Sequence, residues 1–184
     1  IPDHFDTMAV APMECDPKMK CAESAVGAAY SKQPFAATVR PLSFSGTPTR
    51  NYTGFFARAV ALSAIDSEGG ITLNPGGGTL SAGAVASTAF RIVNAGDPEE
   101  AVEAAASPVY TLPNAFPTDT PHAAQALPVS IHLRAAESGG DGVTSNRGTT
   151  DSQEAGLRIV SGRLLVPNGQ GSERLSLHLQ RSAQ

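Results

Sequence analysis

The sequence predicts an all-β protein, an immunoglobulin-like antiparallel β-sandwich, on three observations. Apolar residues alternate with polar ones at a period of two wherever a period is clear. The 18 glycines and 14 prolines gather into short clusters that punctuate these runs. No stretch approaches 18 consecutive apolar residues, so neither a long helix nor a membrane span is expected.

The first informative segment is ECDPKMKC, where five residues, Pro17 among them, separate Cys15 from Cys21. That spacing suits a small surface loop. Oxidised, it would add roughly 2 kcal/mol in the chain-entropy model and imply an oxidising compartment; two free cytosolic thiols are the alternative. Zinc is disfavoured, because no pair of histidines at metal spacing follows.

Phe35, Ala37 and Val39 alternate with Ala36, Thr38 and Arg40, the pattern of a strand buried on one face. The run from Phe56 to Ile65 is apolar on both faces, as expected of a central strand. Turn clusters lie at Ser45 to Asn51, Ser67 to Gly70 and Asn74 to Gly78. The triple glycine Gly76 to Gly78 is not a phosphate cradle, since no helix opens after it in register with a Lys or Ser/Thr; a hairpin or loop is expected.

One segment dissents. Asp97, Pro98, Glu99 and Glu100 read as an N-cap, a first-turn proline and first-turn acids ahead of AVEAAA, so the capping signals predict a short helix or a turn that Pro108 closes. Beyond it, Val129, Ile131 and Leu133 alternate with Ser130, His132 and Arg134, again a strand.

The polar, glycine-rich stretch from Gly139 to Gly156 reads as an exposed connector. The expected organisation is therefore a sandwich over 1–140, an exposed loop or linker over 141–156, and a β-hairpin over 157–184. Its strands, around Leu157 to Val166 and Glu173 to Leu179, are joined by PNGQGS. A lone hairpin is marginal in water, so it must pack on the first unit or belong to a second, truncated one.

Composition excludes several function classes. A net charge of -4 with 13 scattered basic residues offers no phosphate-binding stripe, so nucleic acid is not an expected partner. The histidines supply little catalytic signal. His132 and His178 fall on the polar phase of their strands and are expected to face solvent, while His4 and His122 have no partner at a demanding spacing. No G-x-S-x-G or H-E-x-x-H motif is present, and no catalytic residue or cofactor is expected.

Asp141 in GGDGVTSN leaves a loop calcium as a minor alternative, short of the several oxygen ligands that ion needs. Asn51-Tyr52-Thr53 matches a glycosylation sequon, which matters only in a eukaryotic secreted protein.

Read together, IPDHFDT, YSKQPFAATVRP, NYTGFFARAVALSA, SPVYTLPNAFP, DGVTSN and VSGRLLVPNGQGSERLSLHLQ resemble the C-terminal region of MshQ-type proteins of MSHA (type IV) pilus biogenesis. The resemblance covers nearly the whole chain in a fixed order. The family's G-R-[LIV] strand, N-A-x-G-S-E turn and L-x-L strand are carried here by Gly162, Arg163, Leu164, Asn168, Gly171, Ser172, Glu173, Leu175 and Leu177. Gly169 replaces the usual alanine of the turn, and Ala22 to Ala29 interrupts a usually tighter approach to Y-x-x-Q-P-F.

The motif residues have structural roles by their chemistry. Gly171 suits a turn needing positive φ, Asn168 and Ser172 suit side-chain bonds to backbone, and Arg163 with Glu173 suits a cross-strand pair. The resemblance implies an internal fragment of a long, modular protein exported to the periplasm, cell surface or pilus of a Gram-negative bacterium. It also implies strand rather than helix from Ala101 to Leu112. The chain's start at Ile1, without a secretion signal, fits a mature or excised piece.

The expected function is thus a non-catalytic structural or adhesive module in pilus biogenesis or cell adhesion. Its expected partners are other domains of the same long chain and pilus subunits or surface ligands, with no membrane insertion of this segment. The alternative is a carbohydrate-binding or hydrolase-accessory module. Exposed aromatics would favour it, but there is no Trp and the three tyrosines, Tyr30, Tyr52 and Tyr110, lie in or beside strand-like runs. A third reading is an enzyme whose site is assembled in space, signalled by His122 or His4 in a pocket beside an acid and a serine.

Overall fold

A computed structural model describes residues 1–12, 28–113, 128–139, 141–146 and 153–160. The chain is all-β. The strands are β1 (His4–Val10), β2 (Ala28–Tyr30), β3 (Ala36–Leu42), β4 (Val60–Ile65), β5 (Thr79–Ser81), β6 (Ala84–Val85), β7 (Arg91–Val93), β8 (Ala101–Ala106), β9 (Val109–Thr111), β10 (Val129–Glu137) and β11 (Gly156–Val160). They form a four-stranded sheet in the order β1-β3-β8-β7, a five-stranded sheet in the order β2-β11-β10-β4-β6, and a ribbon of β5 with β9. Every pairing is antiparallel except β2 with β11. Among the described residues no helix is long and apolar enough to cross a membrane.

The period-two runs bury the residues they predict. Phe35, Ala37 and Val39 enter the core from the β3 region, and Ile131, Leu133 and Ala135 from β10. Both inner faces are rich in alanine, and three aromatic rings pack together in the core. Phe5 packs edge-on to Tyr52 with ring centroids 5.8 Å apart, Tyr52 lies edge-on to Phe90 at 5.0 Å, and Phe5 stacks on Phe90 at 6.5 Å.

Three sequence expectations are corrected. The capping signals at Asp97 do not start a helix: Asn94 to Glu100 forms turns, and AVEAAA becomes β8, an inner strand between β3 and β7. Helix propensity separates residues by a few tenths of a kcal/mol. Burial of Ala101, Val102 and Ala104 between two ladders outweighs it. The acids serve loop contacts instead: Glu100 accepts from the Gly96 N–H and pairs with Arg50, and Glu103 pairs across the sheet with Arg40.

The second correction concerns the run from Phe56. Only Val60–Ile65 is strand, Ala61 is exposed, and Phe55 and Phe56 are 88% and 69% exposed on a short 3-10 turn, Gly54–Phe56. Apolar composition on both phases thus reflects a turn facing solvent rather than a doubly covered strand.

The third lies in the expected connector. Of its described residues, Val143 is buried in the apolar core, and Ser145 and Glu154 are buried because their polar groups find partners inside the protein. Gly156–Val160 then runs inside the five-stranded sheet, between β10 and β2. The remainder of the expected hairpin, with Gly162, Arg163, Leu164, Asn168, Gly171, Ser172, Glu173 and Leu175, lies outside the described residues, as do Cys15, Cys21, His122 and His178.

The triple glycine is a packing device. It lies on a 3-10 turn over Tyr110, whose hydroxyl donates to the Pro75 carbonyl at 2.6 Å. A Cβ on Gly78 would fall 2.4 Å from the Tyr110 ring, and Gly76 combines φ +66° with a Cβ position 2.7 Å from Val129. Tyr110 is fully buried and cannot swing away. Gly78→Ala is therefore expected to cost about 1–3 kcal/mol by overpacking, read as a lowered urea midpoint.

Candidate functional site

The most concentrated polar chemistry among the described residues surrounds Glu154, whose side chain is 1% exposed. Period two on β10 points Arg134 away from the Leu133 core phase, and its guanidinium meets the carboxylate twice. Nε donates to Oε1 at 2.7 Å and Nη2 to Oε2 at 3.2 Å. Ser145 Oγ donates to Oε1 at 3.0 Å and the Gly69 N–H to Oε2 at 2.7 Å. Four donors from three segments satisfy one carboxylate, which is what burial of a charge requires.

Around this pair, residues 153 to 155 join the two sheets. The Thr7 N–H on β1 donates to the Gln153 carbonyl at 2.9 Å, and the Leu133 N–H on β10 to the Ala155 carbonyl at 3.0 Å. Thr7 Oγ1 completes the link, donating to the Leu133 carbonyl at 2.8 Å and accepting from the Ala155 N–H at 2.8 Å. Thr7 is 1% exposed. The open side of the sandwich is thereby closed by backbone hydrogen bonds and one buried hydroxyl.

A polar cleft of about 420 Å³ borders this seam, lined by Thr7, Glu68, His132, Gln153, Glu154 and neighbouring backbone. A second hollow of about 330 Å³ lies on the other side of His132, along Ser130 and Arg158. His132 was expected to face solvent. It is instead half-buried over Gly156, its partner in the ladder, and a Cβ there would come 2.9 Å from Nε2. Its Nδ1 is buried without a hydrogen-bond partner. Glycine at 156 is the sequence signal for that ring's position, and it is readable only once the register is known.

The chemistry of this cleft is that of a joint. Both hydroxyls of the seam donate to fixed acceptors, Thr7 to a carbonyl and Ser145 to Glu154. Neither hydroxyl is paired with His132.

The other sequence candidates are scattered. His4 is fully buried, with Nδ1 3.0 Å from Asp3 Oδ2 and Nε2 4.0 Å from Asp6 Oδ1, the two acids that flank it in the sequence. Asp141 is exposed, and no group of three or more potential metal ligands occurs among the described residues. Tyr52 and Tyr110 are core residues, whereas Tyr30, on the edge strand β2, is 45% exposed.

Tyr52 has an electrostatic consequence. Its hydroxyl donates to Glu137 Oε1 at 2.7 Å and accepts from the Arg58 N–H at 3.2 Å. Burial first, and the hydrogen bond to the carboxylate second, push its pKa well above that of a free phenol. Burial also raises Tyr110. Because the folded values lie above the unfolded one, this contribution to stability is complete below pH about 10 and is lost as pH rises further, through the folded values. Denaturant midpoints measured from pH 8 to 12 are expected to fall above pH 10. Tyr52→Phe is expected to start about 1 kcal/mol lower and to fall less steeply, with Tyr110 supplying the remaining slope.

The fold and this seam define a class, a β-sandwich domain closed by a buried polar joint. More particularly, the model for DUF6701, third domain, matches residues 1–158, and the chain belongs to that family. No curated protein and no solved structure matches the chain.

Proposed function

We propose that the chain is a non-catalytic structural and adhesive module of a secreted, cell-surface protein associated with a type IV pilus. The observation that carries the non-catalytic part is the seam itself, where the carboxylate and both hydroxyls at the most polar site are spent on holding segments together. A family defined as a third domain supports a modular parent chain, whose other domains, with pilus subunits or surface ligands, are the partners. The pilus assignment rests on the ordered sequence motifs that resemble MshQ-type proteins, and export follows from it.

Deletion of the parent gene tests this reading. Loss of surface pili or of surface adhesion is expected; normal piliation together with normal adhesion would contradict it.

A further inference from the structure

The exposed phenylalanines gather at the end of the sandwich where the chain enters. β1 starts at His4 opposite Leu42, the last residue of β3, and the Asp3 N–H donates to the Leu42 carbonyl. Ile1 and the loop carrying Phe44 therefore share this end. Phe5 packs on Tyr52, which precedes the turn bearing Phe55 and Phe56 by two residues and brings that turn to the same place. Relative exposures are 84% for Ile1, 78% for Phe44, 88% for Phe55 and 69% for Phe56.

The phenylalanine pair is held ready rather than left loose. Tyr52 is buried and tied to Glu137, Gly54 takes φ +55° at the start of the turn, and the rings of Phe55 and Phe56 meet edge-on at 6.0 Å. A turn anchored beside the core by Tyr52 presents two aromatic rings with less freedom to lose on binding than a free loop would have. Clustered exposed apolar side chains mark contact surfaces, and contacts between domains of one chain bury roughly 600–1,500 Å². The opposite end, toward which β11 runs, exposes Val10, Tyr30, Ile71 and Leu73 but no phenylalanine.

We infer that this end is the docking face for the domain that precedes it in the parent chain, an apolar contact centred on Phe55 and Phe56. The occupant follows from two observations together: the family is a third domain, and the entering chain lies beside the exposed rings. The inference rests on the modular reading proposed above and is independent of the pilus assignment. The contact would fix the angle between consecutive domains and stiffen the array.

The test uses the full parent protein and its Phe55→Ser/Phe56→Ser variant. Limited proteolysis at the junction ahead of Ile1 is expected to quicken at least tenfold in the variant, with a larger maximum dimension in small-angle scattering. Ile71→Ser, at the other end, should leave junction cleavage unchanged. Hydrogen exchange across β4 and β10 should match wild type in both variants, which separates undocking from unfolding. Unchanged cleavage and dimensions in the double variant would overturn the inference. So would a double variant that keeps the wild-type junction but loses self-association or binding on a glycan array, assigning the rings to a second copy or to a sugar. Normal pili in the gene deletion would remove the pilus reading and leave this result standing.

Discussion

Glu154→Ala is expected to lower the free energy of unfolding by about 3 kcal/mol, the lower part of the range for breaking a buried ion pair. The lower part applies because Arg134 is 16% exposed and water reaches one partner. Truncation removes the acceptor for Arg134, Ser145 and the Gly69 N–H at once, leaving a part-buried guanidinium without its counter-charge. Glu154→Gln should fall between, since it keeps two oriented polar atoms and loses the charge. The decisive comparison is Arg134→Met/Glu154→Leu, which removes both charges and should recover most of the loss. Equilibrium urea unfolding of the four proteins reads this directly. A Glu154→Ala variant within 0.5 kcal/mol of wild type, on the order of an ordinary surface substitution, would show that the seam does not hold the sheets together.

Phe5→Ala is expected to cost about 3–5 kcal/mol, the usual price of emptying an aromatic core site. Phe5 is fully buried and touches both other members of the aromatic trio, so its loss strips packing from Tyr52 and Phe90 together. An alanine-rich core has few large neighbours able to close the hole. Phe5→Leu should cost less than half as much, because most of the volume remains. Both are read as shifts in the denaturant midpoint at constant slope. A small effect for Phe5→Ala would mean that the surrounding sheets collapse onto the cavity.

These predictions show where the sequence was legible. Alternation at period two identified the buried faces of Phe35 to Val39 and of Val129 to Ala135, because a sheet with one covered face imposes that pattern whatever lies beyond it. Ala101–Ala106 was misleading, since alanine fits a helix and a crowded inner strand alike, and only the partners β3 and β7 decide between them.

The seam was invisible for a related reason. Glu154 and Ser145 lie in stretches whose polarity reads as loop, and the burial of Glu154 depends on Arg134, 20 residues away in sequence on β10. A polar residue announces burial only through its partner, which no local window contains. Gly156 under His132 and Gly78 under Tyr110 are the same case, glycines whose meaning lies in the residue packed against them. Phe56 inverted the usual rule, since its hydrophobicity argued for a covered strand and the fold turns it outward beside Phe55.

The most direct test of the functional account is complementation of a strain lacking the parent gene with a parent chain from which residues 1–158, the span of the family domain, have been removed in frame. Surface pili and adhesion are scored together, after the shortened protein has been shown to be made and exported. The account predicts that one or both are not restored. Full restoration of both by the shortened chain would contradict it.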